Sequence, residues 1–343
     1  APELLDDIVD NYELEAGAFL AKEEQNIELL ISTVKKHVKS GEVSLQFQID
    51  KLEKVLRNWN RIVRPIQISA KARGLDHEAS KKIGYQVRGL AVELFNDHDY
   101  IRQSQRITEL LKELFSEIPE VSERAEKDAA DLQEISKNRK EEEQKQAQFD
   151  KDISFKAEVG MMFKDELEIG PDGIVWKGKR FPLASITAVK WGAVRNSVNG
   201  IPTGTDYWIS IADRSGSSRI HLKKEATYNG FVNALWKAVG VRLLIDMLEA
   251  LKKGQQITIG NMLIEDTHVT LTRHKFIGSE KVRVAWGDVT YQSFNGSLFI
   301  NHRTDKKVDG SASFCDDWNT HILESVVRGA FKNWTGKLSG FLN

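Results

Sequence analysis

Two short clusters of basic side chains are the residues of this sequence whose types and spacing best suit ligand chemistry. They are Lys177, Lys179 and Arg180 in WKGKR, and Arg273, His274 and Lys275 in TRHK. Each cluster follows an apolar run and is typical of a turn between two strands, from which lysine and arginine reach phosphate oxygens. The clusters predict an anion-binding site, and ordinary solvated surface is the alternative interpretation.

A third candidate site is the stretch VRNSVNGIPTGTDYW. Its glycines, proline and threonines predict a loop inserted between two strands, and such loops on rigid scaffolds often carry binding function. The candidate contact residues in this loop are Arg195, Asn199, Thr203 and Thr205. No Gly-Lys-Ser/Thr follows the glycines, so the loop does not match a phosphate-binding P-loop. An insertion without a binding role is the alternative.

A basic stripe in the first half of the chain is the fourth candidate. Arg57, Arg61 and Arg64 recur at helical spacing beside Trp59, and residues 51–90 hold ten Lys and Arg. Such a stripe suits RNA, DNA or an acidic partner. Its flanks are acidic, so internal ion pairing is the interpretation that we favour.

The sequence contains few patterns that are typical of catalysis or metal binding. The eight histidines are scattered, and none has metal-ligand spacing such as His-Glu-x-x-His. NDHDY, residues 96–100, is better explained as a polar turn between helices. Cys315 precedes Asp316 and Asp317, which should raise its thiol pKa and disfavour nucleophilic use. One of these aspartates is predicted to cap the last helix. We therefore expect no enzyme, no metal and no cofactor.

The elements that carry these residues change type near the middle of the chain. Apolar residues at spacings of three and four predict helices through residues 1–138, with Pro65 ending the helix that begins near Leu45. Residues 139–152 form a charge run and predict an exposed linker or a helical spacer. The first half is therefore an all-α domain.

From Phe155 the pattern becomes that of short strands, and it occurs twice. ITAVKWGAV is followed 95 residues later by VRVAWGDVT, counted between Trp191 and Trp286. LEIGPDGIVWKGKRF likewise has the layout of MLIEDTHVTLTRHKF, and each series closes with an amphipathic helix. We expect the two tryptophans to close strands at equivalent buried corners, with the glycines allowing a bend.

A series of antiparallel strands closed by one helix occurs twice between Phe155 and Trp334. This layout resembles the tandem pleckstrin-homology-like (PH-like) domains of bacterial proteins. The resemblance implies one domain over residues 153–253, called the first copy, another over 254–334, the second copy, and a tail over 335–343. In phosphoinositide-binding members of this family, basic residues on the hairpin between the first two strands bind phosphates, and other members bind proteins. The implied fold class is α+β multidomain, with a helical domain before two PH-like domains.

The cysteine content and hydropathy of the chain disfavour disulfide-rich and membrane-spanning classes of protein, and its charge is divided unevenly between the two halves. Residues 1–150 contain 23 basic and 30 acidic residues, and the remainder contains 26 and 20, so the halves carry net charges of −7 and +6. One cysteine excludes an internal disulfide framework and predicts a reducing, cytoplasmic location. No apolar stretch approaches the roughly 20 residues of a membrane span. The chain begins with Ala1, which is compatible with a longer natural chain.

The sequence therefore predicts a non-enzymatic interaction or scaffolding module that recognises a protein partner. The first alternative is a peripheral membrane adaptor that binds anionic lipid through the two basic clusters. The second is nucleic-acid binding through residues 57–88, whose affinity would fall steeply with added salt. Oligomeric state does not follow from the sequence.

Overall fold

The chain is α+β, with a helical half followed by a β-rich half. The computed structural model describes residues 2–160, 164–199, 201–332 and 336–342. Two compact units meet at the Gln144–Lys145 peptide bond. The first unit is helical, and the second contains the antiparallel sheets.

Long helices build the first unit, and the last of them continues past its boundary at Gln144. They are α1 (Pro2–His37), α2 (Glu42–Ala72), α3 (Glu78–Asn96), α4 (Ile101–Leu114) and α5 (Pro119–Ile153). The face predicted for α2 from Leu45 to Val63 is confirmed, because every apolar residue at that spacing is buried. Trp59, at its centre, stacks on Phe115 with ring centroids 5.8 Å apart. The turn between α3 and α4 contains Asp97 to Tyr100 of NDHDY, as predicted, and Asn96 is the last residue of α3.

The prediction that Pro65 ends α2 is wrong, because the helix continues to Ala72 with Pro65 inside it. Proline lacks the N–H of one helical hydrogen bond and normally bends or ends a helix. Here the residues beyond it, including Ile66 and Ala70, belong to the buried face. Burial of this apolar surface offsets the lost hydrogen bond. The charge run 139–152 is helical as well, since α5 extends to Ile153.

The first copy contains a four-stranded and a three-stranded antiparallel sheet. The first sheet is β1 (Phe155–Val159), β2 (Asp165–Gly170), β3 (Gly173–Trp176) and β4 (Lys179–Phe181). The second is β5 (Ala188–Val198), β6 (Ile201–Asp213) and β7 (Gly216–Leu222). Helices α6 (Glu225–Leu235) and α7 (Val241–Lys252) follow, joined through a π-helical turn at Trp236–Gly240.

The second copy repeats this order of elements within one seven-stranded sheet. Its strands are β8 (Ile257–Ile259), β9 (Met262–Ile264), β10 (His268–His274), β11 (Ser279–Ala285), β12 (Val289–Phe294), β13 (Ser297–His302) and β14 (Val308–Ser313). Helix α8 (Thr320–Lys332) closes it. In each copy, four strands pair as a meander, three more strands pair as a second meander, and a helix follows. Apolar residues of both copies belong to one continuous core.

The two Trp-Gly pairs do not occupy equivalent places, contrary to the prediction. A 3₁₀ turn leads into the second meander of each copy, at Leu183–Ser185 in the first and at Trp286–Asp288 in the second. Trp286 therefore corresponds to Leu183, whereas Trp191 lies inside β5. The register differs because ten residues separate the start of β3 from Leu183, and eighteen separate the start of β10 from Trp286. The third hairpin of the second copy, β10–β11 with 18 residues, is nine residues longer than β3–β4 with 9, and one connecting residue fewer follows it.

Candidate interaction surfaces

Trp191 and Gly192 lie where the two copies touch. This contact, called the seam, joins β5 to residues 314–321. The backbone N–H of Val189 donates to Asn319 Oδ1, and the Asn319 N–H donates to the Val189 carbonyl, both at 2.9 Å. A Cβ added to Gly192 would lie 2.2 Å from Cys315 Sγ. Glycine at position 192 therefore allows β5 to lie directly against the segment that precedes α8.

Aromatic stacking completes the seam. The His321 ring lies between Trp191, with centroids 4.1 Å apart, and Phe314, at 4.4 Å. His321 Nε2 lies 2.7 Å from the Trp191 carbonyl. Burial lowers the pKa of His321, because protonation would place a charge among these rings. Trp286, by contrast, is fully buried in the second copy and donates from Nε1 to the Glu265 carbonyl at 2.9 Å.

Cys315 and its two aspartates form the turn after β14. Burial, and then Asp316, raise the pKa of the Cys315 thiol. The prediction that Asp316 or Asp317 caps the last helix is wrong, because α8 begins at Thr320. Both carboxylates instead accept hydrogen bonds from Ser313, at 2.9 Å from its hydroxyl and 2.7 Å from its N–H. They close the turn rather than the helix.

The first basic cluster lies at the two-residue turn between β3 and β4. Lys177 Nζ is 3.7 Å from the Asp165 carboxylate, and Arg180 Nη1 donates to the Asp172 carbonyl at 3.4 Å. The side chain of Lys179 is exposed. This turn joins the third and fourth strands of the copy, whereas the family's phosphate-binding hairpin joins the first two. The expected position was therefore wrong for this cluster.

The second basic cluster lies at the equivalent hairpin between β10 and β11, and acidic groups accompany all three residues. Arg273 pairs with Glu280 at 3.0 Å and with Asp305 at 3.3 Å. Lys275 also pairs with Glu280, and His274 Nε2 lies 3.3 Å from Asp309. Hydrogen bonds from Lys275 and then Arg273 lower the pKa of Glu280. The charge of this cluster is largely balanced by Glu280 of the same hairpin and by Asp305 and Asp309 of the neighbouring β13–β14 hairpin.

The tip of the same hairpin exposes two large apolar side chains that sequence reasoning missed. Phe276 is 103% exposed and Ile277 is 86% exposed. The sequence comparison matched Phe276 with Phe181, but Phe181 is buried at the end of β4. Phe276 lies in the turn because the second hairpin is longer. The sequence signal for this exposed turn is FIG, residues 276–278, in which a glycine that favours turns follows the apolar pair.

The predicted Gly/Pro/Thr loop is instead a β-ribbon, so the loop prediction is wrong. β5 and β6 pair as far as Val198 and Ile201, with a register shift at Asn196/Ser197. β7 pairs only with residues 207–213 of β6. Residues 194–199 and 201–206, called the arm, therefore extend as two strands beyond the three-stranded sheet.

The arm carries the four residues chosen from the sequence and three exposed aliphatic side chains. Arg195 is paired with Thr205 across the strands, Thr203 lies on β6, and Asn199 is in the turn with φ +52°. The exposed aliphatic residues are Val194, at 47%, Val198, at 61%, and Ile201, at 69%. The surface is mixed in character, with aliphatic, amide and hydroxyl groups.

The base of the arm is fixed by Asp206. Its carboxylate accepts hydrogen bonds from Asn196 and is 2.7 Å from both Asn196 Nδ2 and His221 Nε2. It also pairs with Lys223. Hydrogen bonds from Lys223, His221 and Asn196 hold the pKa of Asp206 well below its usual value. The one acidic side chain of the arm is therefore already satisfied.

The basic stripe of α2 is mostly paired with acids of the helical unit, as favoured from the sequence. Arg57 pairs with Glu53 at 2.9 Å and donates to both oxygens of Glu113. Arg64 lies 3.8 Å from Glu117. Arg61 is exposed. Two of the three guanidinium groups are thus partly neutralised.

The residues that the structure describes contain neither a metal-ligand cluster nor a membrane-spanning helix. No group of three or more His, Cys, Asp or Glu in them could hold a metal ion. Among the same residues, no helix combines the length and the apolar character that crossing a membrane requires. Comparisons with protein-family models, curated proteins and solved structures found no match to this chain.

Proposed function

We propose that the chain is a non-enzymatic interaction module with two PH-like domains, and that it recognises a protein partner through the arm of the first copy. The observation that carries the proposal is the extension of β5 and β6 beyond their sheet with Val194, Val198 and Ile201 exposed. The order of four strands, three strands and a helix in both copies supports the PH-like assignment.

A two-stranded ribbon that exposes aliphatic side chains to water is unusual. Two strands alone are marginally stable in water, so the arm depends on its fixed base and gains stability from any surface that covers it. Asp206 and its partners Asn196, His221 and Lys223 hold that base. The arm can therefore present its side chains without ordering a flexible loop first, which reduces the entropic cost of binding.

The chemistry of the arm favours a protein over an anionic ligand. Arg195 is its one basic residue, and the carboxylate of Asp206 is neutralised. Aliphatic groups interleaved with Asn199, Thr203 and Thr205 match the mixed composition of protein interfaces. A phosphate or nucleic-acid surface would require several unpaired cations.

The test is affinity capture with the full chain, followed by direct binding of each captured protein after purification. The double variant V198S/I201S removes the aliphatic groups of the arm tip without touching the core. I245S is the control, because Ile245 is an aliphatic residue of α7 with a similar exposure of 41%. We expect the arm variant to weaken binding of a purified partner at least about tenfold, since each buried aliphatic side chain contributes about 1.5–3 kcal/mol.

Equal binding by the wild type, the arm variant and the control would refute the proposal. Self-association is a separate outcome that sedimentation detects. If the arm variant alone abolished a dimer, the bound surface would be a second copy of the chain instead of a different protein.

A further inference from the structure

The hairpin tip of the second copy has a different chemistry from the arm. We propose that Phe276 and Ile277 insert into the interfacial region of a lipid bilayer rich in anionic head groups, with neighbouring lysines at its surface. This site lies outside the arm and does not depend on the protein partner.

The two apolar side chains point away from their own core. Phe276 and Ile277 are 103% and 86% exposed, although the same sheet buries Leu271 and Val284 completely or nearly so. A convex tip of this kind fits a deformable medium, whereas a protein partner would need a matching pocket. Phenylalanine and isoleucine gain free energy on leaving water, and aromatic rings favour the membrane interface. A bilayer therefore suits this pair.

Cationic side chains flank the tip because two turns are held side by side. The His274 N–H donates to the Lys307 carbonyl at 2.8 Å, and Arg273 Nε is 3.3 Å from Asp305. These contacts place the β13–β14 turn, with exposed Lys306 and Lys307, next to the β10–β11 turn. Residues 273–281 and 302–309 together contain six Lys and Arg against three Asp and Glu. The net positive charge complements an anionic surface.

This mode of binding differs from the gripping of one phosphate head group. Arg273, His274 and Lys275 are engaged with acids of this hairpin and of the adjacent β13–β14 hairpin, so they do not form an open phosphate cradle. The binding energy comes from apolar insertion and from the summed surface charge. Binding should therefore follow the charge density of the bilayer, with little preference among anionic head groups of equal charge, and should weaken with salt.

The chain supplies matched controls for both contributions. Phe294 is 71% exposed at the turn between β12 and β13, which is the opposite end of β13 from Lys306 and Lys307. Lys177 and Lys179 belong to the equivalent hairpin of the first copy, whose turn has only two residues and exposes no apolar pair. Each control changes the same kind of side chain away from the proposed surface.

The experiment is co-flotation of the full chain with phosphatidylcholine vesicles, with and without phosphatidylserine. We expect binding to the serine-containing vesicles only. F276S/I277S should weaken it at least about tenfold, because even half-burial of two such side chains corresponds to that factor. K306E/K307E should weaken it by about fivefold or more for each lysine. F294S and K177E/K179E should bind as the wild type does. Circular dichroism should be unchanged, since every altered side chain is exposed.

Three results would overturn the proposal. They are failure of the wild type to float with phosphatidylserine vesicles, equal binding to neutral and anionic vesicles, and equal losses in the tip variants and the controls. Phosphoinositide vesicles matched in total charge provide a further comparison. Strong preference for them would indicate a head-group site instead of insertion. V198S/I201S should float normally, so failure of this proposal and failure of the arm proposal are separable.

Discussion

Replacing Gly192 with alanine tests the contact between the two copies directly. The added Cβ would lie 2.2 Å from Cys315 Sγ, but 3.7 Å from Cys315 Cβ. Carbon and sulfur pack at roughly 3.5–4.0 Å, so the overlap with Sγ is more than about 1 Å, and the contact with Cβ is ordinary. G192A therefore collides with one atom of the second copy.

The expected cost follows from how this collision is relieved. Either the Cys315 side chain leaves its rotamer or β5 moves away from the segment before α8. Overpacking of this kind costs about 1–3 kcal/mol of unfolding free energy. C315A removes Sγ and leaves a normal contact, so G192A should cost close to nothing in that background. The expected coupling energy is thus about 1–3 kcal/mol.

Urea unfolding followed by tryptophan fluorescence is a suitable assay, because seven of the eight tryptophans lie after residue 150. The cycle consists of the wild type, G192A, C315A and the double variant. G89A is the control for the glycine-to-alanine change, since a Cβ on Gly89 in α3 meets no atom within 4 Å, and its unfolding is followed by far-ultraviolet circular dichroism because α3 lies in the helical unit. G89A should be neutral or stabilising by about 0.5–1 kcal/mol. If G192A cost the same with and without Cys315, our description of the seam would be incorrect.

Two further predictions concern particular residues of each unit. Burial lowers the folded-state pKa of His321, so its contribution to stability is fully present above the unfolded value of about 6.5 and is lost as the pH falls toward the folded-state pKa. H321Q should therefore lose less stability than the wild type between neutral pH and about pH 5 in urea titrations, and equal losses would contradict this. P65A should stabilise the helical unit by about 1–3 kcal/mol, because it restores an N–H inside α2 at an exposed position. A lower thermal midpoint for P65A would show that the proline is needed where it is.

Local periodicity was sufficient to predict the helical faces. The spacing of Leu45, Leu56 and Val63 identifies the buried side of α2 because one helix face must meet the core. The rule that a proline ends a helix failed at Pro65, because packing of the apolar residues beyond it outweighed the propensity of that one residue. Whether a proline ends a helix depends on how much apolar surface the following turn buries, and a local pattern does not contain that quantity.

The repeat was visible in the sequence, but its register was not. Matching letters aligned Trp191 with Trp286 and Phe181 with Phe276, and neither pair is equivalent in the structure. An alignment by motif assumes equal hairpin lengths. Nine extra residues in the β10–β11 hairpin change which residue of a strand faces the core and which lies in the turn. The exposure of Phe276 therefore followed only from the fold.

Hairpin length also explains how two copies of one strand order present different chemistry. The first copy lengthens the β5–β6 hairpin to 26 residues, against 14 for β12–β13. The second copy lengthens β10–β11 instead. Hairpin ends carry few core contacts, so they accept extra residues at little cost in stability. The lengthened β5–β6 hairpin forms the arm, which is nearly neutral and carries both aliphatic and polar side chains. The lengthened β10–β11 hairpin forms the tip, which is apolar and has lysines beside it. The difference between these two surfaces is why we propose a different partner for each, since a repeat of identical surfaces would present the same chemistry twice.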